Sequence, residues 1–288
     1  MRVVFESRNR QACADRALVL ESLRIPYEIV DDELSCALVV PAEHSAEAAE
    51  QLRRYDAENV PRQPRSRPRV EYFDAVPGLL AYVLALVGVG FLAANDAFST
   101  DWRGAGRVDG ALVRAGEWWR TITALTLHSG IQHLVGNLIF GVFFGLFAGR
   151  LLGSGVAWLA ILVAAAVGNA LNTMLLTPQH WSIGASTAVF AALGIVAGHV
   201  WHARLMRQDR WPYRVGPVVG GLALLMYTGT GDANTDVGAH LFGFVCGFVA
   251  GMLLVPLRGR LGDERLQTGS ALAAAAILVA AWLTALTA

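Results

Sequence analysis

The feature that most constrains this chain is a series of long stretches with no charged residue. The windows 75–95, 121–149, 151–203, 215–231, 237–257 and 266–288 hold no Asp, Glu, Lys or Arg. A helix needs about 20 apolar residues to cross the hydrocarbon of a bilayer. Most of these windows reach that length, and 151–203 is too long for one helix. A single soluble globule is therefore excluded. The chain is 16% charged, against about 25% for a soluble domain, and the deficit falls after residue 74. A net charge of zero lacks the basic surplus of a nucleic-acid binder, so no nucleic-acid partner is expected. Cys13, Cys36 and Cys246 are too few and scattered for a disulfide scaffold. The first residues lack the basic-then-apolar order of a signal peptide.

Spans are expected at about 75–94, 131–150, 155–177, 186–203, 215–230, 237–257 and 270–287, with Thr177-Pro178-Gln179-His180 breaking the long window. Arg residues test this count, because cytoplasmic loops are Arg-rich. With the N-terminus inside, the inner segments carry Arg62 to Arg69, Arg150, Arg204 to Arg214 and Arg258 to Arg265. Outside, Arg falls only in the first loop, 96–130. The expectation is a multi-pass cell-membrane protein, in a bacterial inner membrane, with a cytoplasmic N-terminus and an external C-terminus. Trp102, Trp118 and Trp119 in the first loop suit the bilayer interface.

Residues 1–60 read as a small soluble domain. Short β-rich runs at 2–6, 25–30 and 35–40 alternate with helical stripes at 10–23 and 45–55, the latter with Ser45 as N-cap. The order is βαββα, an α+β domain. It resembles small bacterial signal-transducing accessory modules, and an unknown cytoplasmic partner is expected for it. Residues 61–74, PRQPRSRPRVEYFD, are rich in Pro and Arg. They read as a solvated linker whose arginines can meet anionic lipid head groups.

Polar groups inside membrane spans are costly, and by default they mark function. His133 and Asn137 lie i, i+4 on one helical face, with His128 just before them. Helix–helix hydrogen bonding would explain them alone. A metal site suits them less: no Glu stands nearby as in HExxH, and two residues five apart diverge by about 140° on a helix. Gly184-Ala185-Ser186-Thr187 opens a helix after an uncharged loop. A serine there is either a cap or a nucleophile beside backbone N–H groups that can hold an oxyanion. Gly243, Gly247 and Gly251 follow the spacing that lets membrane helices approach closely, and His240 precedes them. Packing accounts for the glycines but not for the imidazole. Glu117-Trp118-Trp119-Arg120 reads by itself as an interfacial anchor. Ser186, His240, His133 and Asn137 all map to the external halves of their spans. A nucleophile, a base and two donors at one depth are what acyl transfer needs.

These motifs resemble the rhomboid intramembrane serine proteases. They are Trp119-Arg120, His128-x4-His133-x3-Asn137, Gly184-x-Ser186 and Ala239-His240-x2-Gly243-x3-Gly247, in that order, within a match of roughly 75–288. The resemblance implies an all-α polytopic fold, a six-helix rhomboid-like bundle plus a seventh C-terminal helix. It implies Ser186 as nucleophile and His240 as general base, with no acid and no cofactor or metal. His133, Asn137 and Gly184 would form the oxyanion site, Phe190 would stack on the base, and His128, Trp119 and Arg120 would support it. The implied substrates are single-pass transmembrane proteins, cut near the external face. Two positions depart from the family pattern. Thr187 stands where Gly usually follows the nucleophile, and Gly149 stands where a Glu often anchors the end of the second span. An inactive rhomboid-like binder of membrane helices is the alternative. A small-solute transporter is disfavoured, because the two halves show no internal repeat.

Overall fold

The structure, a computed structural model, describes residues 1–32, 35–59, 71–175, 180–203, 215–216, 219–220, 223 and 236–288. The chain divides into two compact units, Met1–Arg67 and Pro68–Ala288.

In the first unit β1 (Arg2–Ser7), α1 (Arg10–Ser22), β2 (Glu28–Asp31), β3 (Cys36–Val40) and α2 (Ser45–Glu58) follow one another. The sheet order is β1-β3-β2, and both pairings are antiparallel. The central strand alternates buried with half-buried residues, the period-2 signature of a sheet covered on one face. Leu38 and Val40 meet Ala17 and Leu20 of α1 and Ala48 and Leu52 of α2 in a single core. Asn9 caps α1 by accepting from the Gln11 N–H at 3.0 Å. Two local expectations change. Ile25 belongs to the core rather than to the second strand, which begins at Glu28. Ser45 is not a cap: its hydroxyl donates to the Ala42 carbonyl at 2.8 Å, and His44 occupies the N-cap position.

The second unit is mostly helical. Its main helices are α3 (Val76–Ala94), α7 (Ile131–Leu152), α8 (Ser154–Leu175), α9 (Ser186–His202), α10 (Val237–Leu253) and α11 (Glu264–Thr287). Four of them, α3, α7, α8 and α11, are long and apolar enough to cross a membrane, while α9 and α10 are shorter apolar helices. Helix starts are marked by acceptor side chains: Asp236 takes the Ala239 N–H, and Asp263 takes the Arg265 N–H. The expected fifth span, 215–230, lies mostly outside the described residues.

Helix α9 sits innermost, packed by α7, α8 and α10. Its seam with α10 explains the glycine spacing. A side chain on Gly247 or Gly251 would collide with the carbonyl of Ala191 or Ile195. Such contact between backbones replaces the hydrophobic driving force that is missing between helices in lipid.

The segment between α3 and α7 is itself folded. It holds α4 (Trp102–Gly106), β4 (Val108–Asp109), α5 (Gly110–Arg114), α6 (Arg120–Thr123) and a 3-10 turn, Ala124–Thr126. Strand β4 pairs with β5 (Trp181–Ser182), tying this segment to the lead-in of α9. Of the three tryptophans expected at the bilayer interface, only Trp118 is well exposed. Trp102 is buried and Trp119 half-buried in a cluster with Leu127 and Trp282. Arg120 is not a surface anchor. It is buried, donating to Glu117 Oε2 at 2.6 Å and to the carbonyls of Gly104 at 2.8 Å and Arg107 at 3.1 Å. A buried guanidinium satisfied in this way staples the loop that surrounds it.

Candidate active site

Ser186 is the first helical residue of α9. The residue in the N-cap position is Ala185, which has helical backbone angles. Among the described bonds the serine hydroxyl therefore caps nothing, and the side chain is partly exposed. The first turn of a helix leaves its N–H groups without intrahelical partners. Ser186 and Thr187 bring two of these to the site.

Gly184 connects Ser186 to α7. Its φ of +136° lies where L-side chains rarely go. A methyl placed on it would lie 2.7 Å from His133 Cε1 and Nε2, and 3.6 Å from Ser186 Oγ. The imidazole edge and the hydroxyl thus border the same space. The Gly184 N–H is fixed by the Ala124 carbonyl at 2.9 Å.

His133 and Asn137 share a face of α7, as their spacing predicts. The Asn137 amide donates to the His133 carbonyl at 3.0 Å, and the Tyr82 hydroxyl of α3 donates to the Asn137 carbonyl at 2.8 Å. Ser129 Oγ lies 3.1 Å from His133 Nδ1. With the serine donating, His133 Nε2 carries the proton and faces Gly184. His128 is buried, its ring 5.1 Å from that of His133 at 73°. His128 precedes α7, so the divergence of positions along a helix does not separate this pair.

His240 lies in the first turn of α10 and is buried. Its ring rests on Phe190 of α9, 4.7 Å between centroids and tilted 35°. One turn on, Gly243 meets Thr187: its Cβ would lie 3.0 Å from the threonine Cγ2 and 2.5 Å from the threonine carbonyl. The β-branch at position 187 therefore fills the α9–α10 seam. The Asp236 carboxylate is engaged elsewhere, by Asn172 Nδ2 at 2.8–2.9 Å, by His180 Nε2 at 2.7 Å and by the cap of α10. Trp119 and Arg120 make none of the described contacts with Ser186 or His240 and belong to the loop that precedes the Ala124 turn.

The structure thus groups Ser186, Gly184 and His133, places Asn137 one turn on from His133, and brings Phe190 against His240 across the seam. Sequence reasoning missed Tyr82, Ser129 and the Ala124 carbonyl. Tyr82 left a trace, a hydroxyl within an otherwise apolar span. Ser129 left another, four residues before His133. The carbonyl left none.

Apolar helices with polar side chains gathered inside define a multi-pass membrane protein. Residues 115–257 match the family model for the Rhomboid domain. The chain is 30% identical over 164 residues to rhomboid protease GluP of Bacillus subtilis (strain 168), covering 56% of this chain and 31% of that one. It is also 30% identical over 150 residues to putative rhomboid protease YdcA of the same organism, covering 51% of this chain and 73% of that one. Inactive rhomboid protein 1 of Drosophila melanogaster is 28% identical over 144 residues, covering 48% of this chain and 10% of that one. The chain belongs to the rhomboid family. It spans about a third of GluP and most of YdcA.

Proposed function

We propose that this protein is an intramembrane serine endopeptidase in which Ser186 is the nucleophile and His240 the general base. The observation that carries this reading is the start of the α9–α10 seam. There Phe190 holds the His240 ring one turn along from Ser186, and Gly184 brings His133 to the same hydroxyl. His240 takes the Ser186 proton as Oγ attacks the scissile carbonyl. The tetrahedral oxyanion is held by His133 Nε2–H, by the Asn137 amide hydrogen not given to the His133 carbonyl, and by the Ser186 backbone N–H. His240 then protonates the leaving amine, and water hydrolyses the acyl-enzyme. No carboxylate is needed to orient the base, because Phe190 packs it. The Thr187 branch is turned toward Gly243.

The substrates proposed are single-pass transmembrane proteins whose helix unwinds near the external face. A helical backbone satisfies its own hydrogen bonds and is closed to attack until it opens. The proposal keeps seven spans, a cytoplasmic N-terminus, a bacterial inner membrane, and a cytoplasmic accessory domain at 1–60 with a partner of its own. The test is cleavage of a panel of single-pass proteins in membranes. Ser186→Ala and His240→Ala should each abolish cleavage, and a fluorophosphonate probe should label wild type at Ser186. Normal cleavage by either variant would sink the reading. A well-folded wild type that never labels would favour the inactive binder of membrane helices.

A further inference from the structure

Helix α11 grips the rest of its unit at two places, and the two grips differ in kind. Near its start Gln267 uses its entire amide. Nε2 donates to the carbonyls of Leu152 at 2.9 Å and Leu261 at 2.8 Å, and Oε1 accepts from the N–H groups of Gly155 at 3.0 Å and Val156 at 3.2 Å. These bonds satisfy the last turn of α7 and the first turn of α8, groups that helix ends leave orphaned. They also secure the end of α7 where Gly149 replaces an anchoring carboxylate.

Near the other end of α11, Trp282 is buried and lies 4.9 Å from the Trp102 ring at 50°. Its Nε1–H donates to Thr126 Oγ1 at 3.1 Å, and that hydroxyl donates to the Thr123 carbonyl at 2.8 Å. A methyl on Gly106 would lie 2.6 Å from Trp282 Cη2, so the ring fills the space behind the loop. Thr126 closes the 3-10 turn that begins at Ala124, and the Ala124 carbonyl holds the Gly184 N–H at 2.9 Å. Gly184 in turn borders His133 and Ser186.

We propose that Trp282 is a positioning residue for the Ser186 site, acting through the Ala124–Thr126 turn. This rests on the reading of Ser186 as nucleophile. The indole N–H fixes the direction of the Thr126 hydroxyl, and the ring keeps the turn from drifting. The turn presents one carbonyl to Gly184. Loosening it displaces the oxyanion side of the site, so acylation slows while substrate affinity holds.

The experiment uses the full chain in membranes. Trp282→Phe keeps most of the ring volume and removes the donor. Its fluorophosphonate labelling rate per folded molecule and its kcat should fall several-fold, up to about tenfold, the scale of one lost hydrogen bond, with KM nearly unchanged and only a small drop in unfolding temperature. Thr126→Val should slow labelling at least as much, since it also removes the bond to the Thr123 carbonyl, and adding Trp282→Phe to it should add little, since the two share one contact. Deuterium uptake of the peptide carrying the Gly184 amide should rise in Trp282→Phe, which reads the same coupling without activity. Gln267→Ala should behave oppositely, lowering the unfolding temperature while the folded fraction labels at the wild-type rate. Wild-type labelling in both Trp282→Phe and Thr126→Val, or slowing that only tracks lost folded protein, would overturn the inference. Unchanged Gly184 exchange in Trp282→Phe would overturn it alone, whereas absence of labelling in wild type would overturn the Ser186 reading.

Discussion

The two units of this chain bury different kinds of side chain. In the first, Leu20, Leu38 and Leu52 are buried, and most charged side chains are outside, with Arg16 half-buried. Arg53 and Arg54, for example, both pair with Glu50 on the surface and hold its carboxyl below the usual range. In the second, Leu80, Leu84, Phe91, Phe143 and Phe147 face outward, while among the described residues every buried polar or charged side chain lies in this unit. Arg120, Asn137, Asn169 and His240 are inside. The core of the first unit is closed by apolar side chains. The second is closed by glycine-mediated backbone contact and by polar groups given specific partners, such as Asn169 Nδ2 donating to the Thr121 carbonyl at 2.9 Å. Lipid outside removes the gain from burying a leucine and raises the penalty for exposing an amide. Exceptions to apolarity therefore collect inside, where chemistry can use them.

Four measurements would break or sharpen this contrast. The largest effect belongs to a polar group in the second unit. Asn137→Ala should slow cleavage by roughly 10²–10³-fold, about 2.7–4 kcal/mol for one preorganised oxyanion donor. A loss under tenfold would reduce Asn137 to a packing amide.

The next compares one substitution on two surfaces. Leu84 on α3 is 71% exposed and Leu18 on α1 is 64% exposed. Leu84→Asp should make membrane insertion less favourable by about 2.5–3.5 kcal/mol, as an acidic residue in mid-span does. Leu18→Asp should change the stability of the first unit by about 0.5 kcal/mol or less. Insertion and denaturation assays giving equal costs would mean that the two surfaces face the same solvent.

A third measurement probes the glycine seam. Gly247→Val must push α10 away from the Ala191 carbonyl and should destabilise the second unit by about 1–3 kcal/mol, leaving the first unit's unfolding unchanged. The last measurement is in the first unit. Burial pushes the Cys13 thiol from 9.0 up to about 11, with Cys36 beside it adding to the rise. The unfolded chain releases this proton from about pH 9, while the folded unit retains it to about pH 11. Stability is therefore full below pH 9 and declines between pH 9 and 11, a trend that Cys13→Ala should remove from a urea titration.

Much of this was legible in the sequence because periodicity and charge are local. The four long apolar helices begin and end within a few residues of the expected spans, with α11 starting earlier, at Glu264. The His133–Asn137 face follows from 3.6 residues per turn, and the Gly243–Gly247–Gly251 seam follows from their spacing. Trp102 and Arg120 read as interfacial yet are buried, because a loop composition is the same whether the chain lies on a surface or folds into a staple. Asn172, His180 and Asp236 are far apart in sequence, so their cluster had no local signature.

What the sequence determined by itself was where the long apolar helices fall, the helical faces and the residue types able to do acyl transfer. Each depends on neighbours within a turn or two along the chain. Only the tertiary structure decided that Ser186 is not a cap, that Thr187 fills the seam, and that a carbonyl at Ala124 and an indole at Trp282 stand behind Gly184. Those facts depend on contacts between residues up to 156 positions apart, as with Trp282 and Thr126. No local pattern encodes such a pairing, because close packing selects the partner after the helices have met.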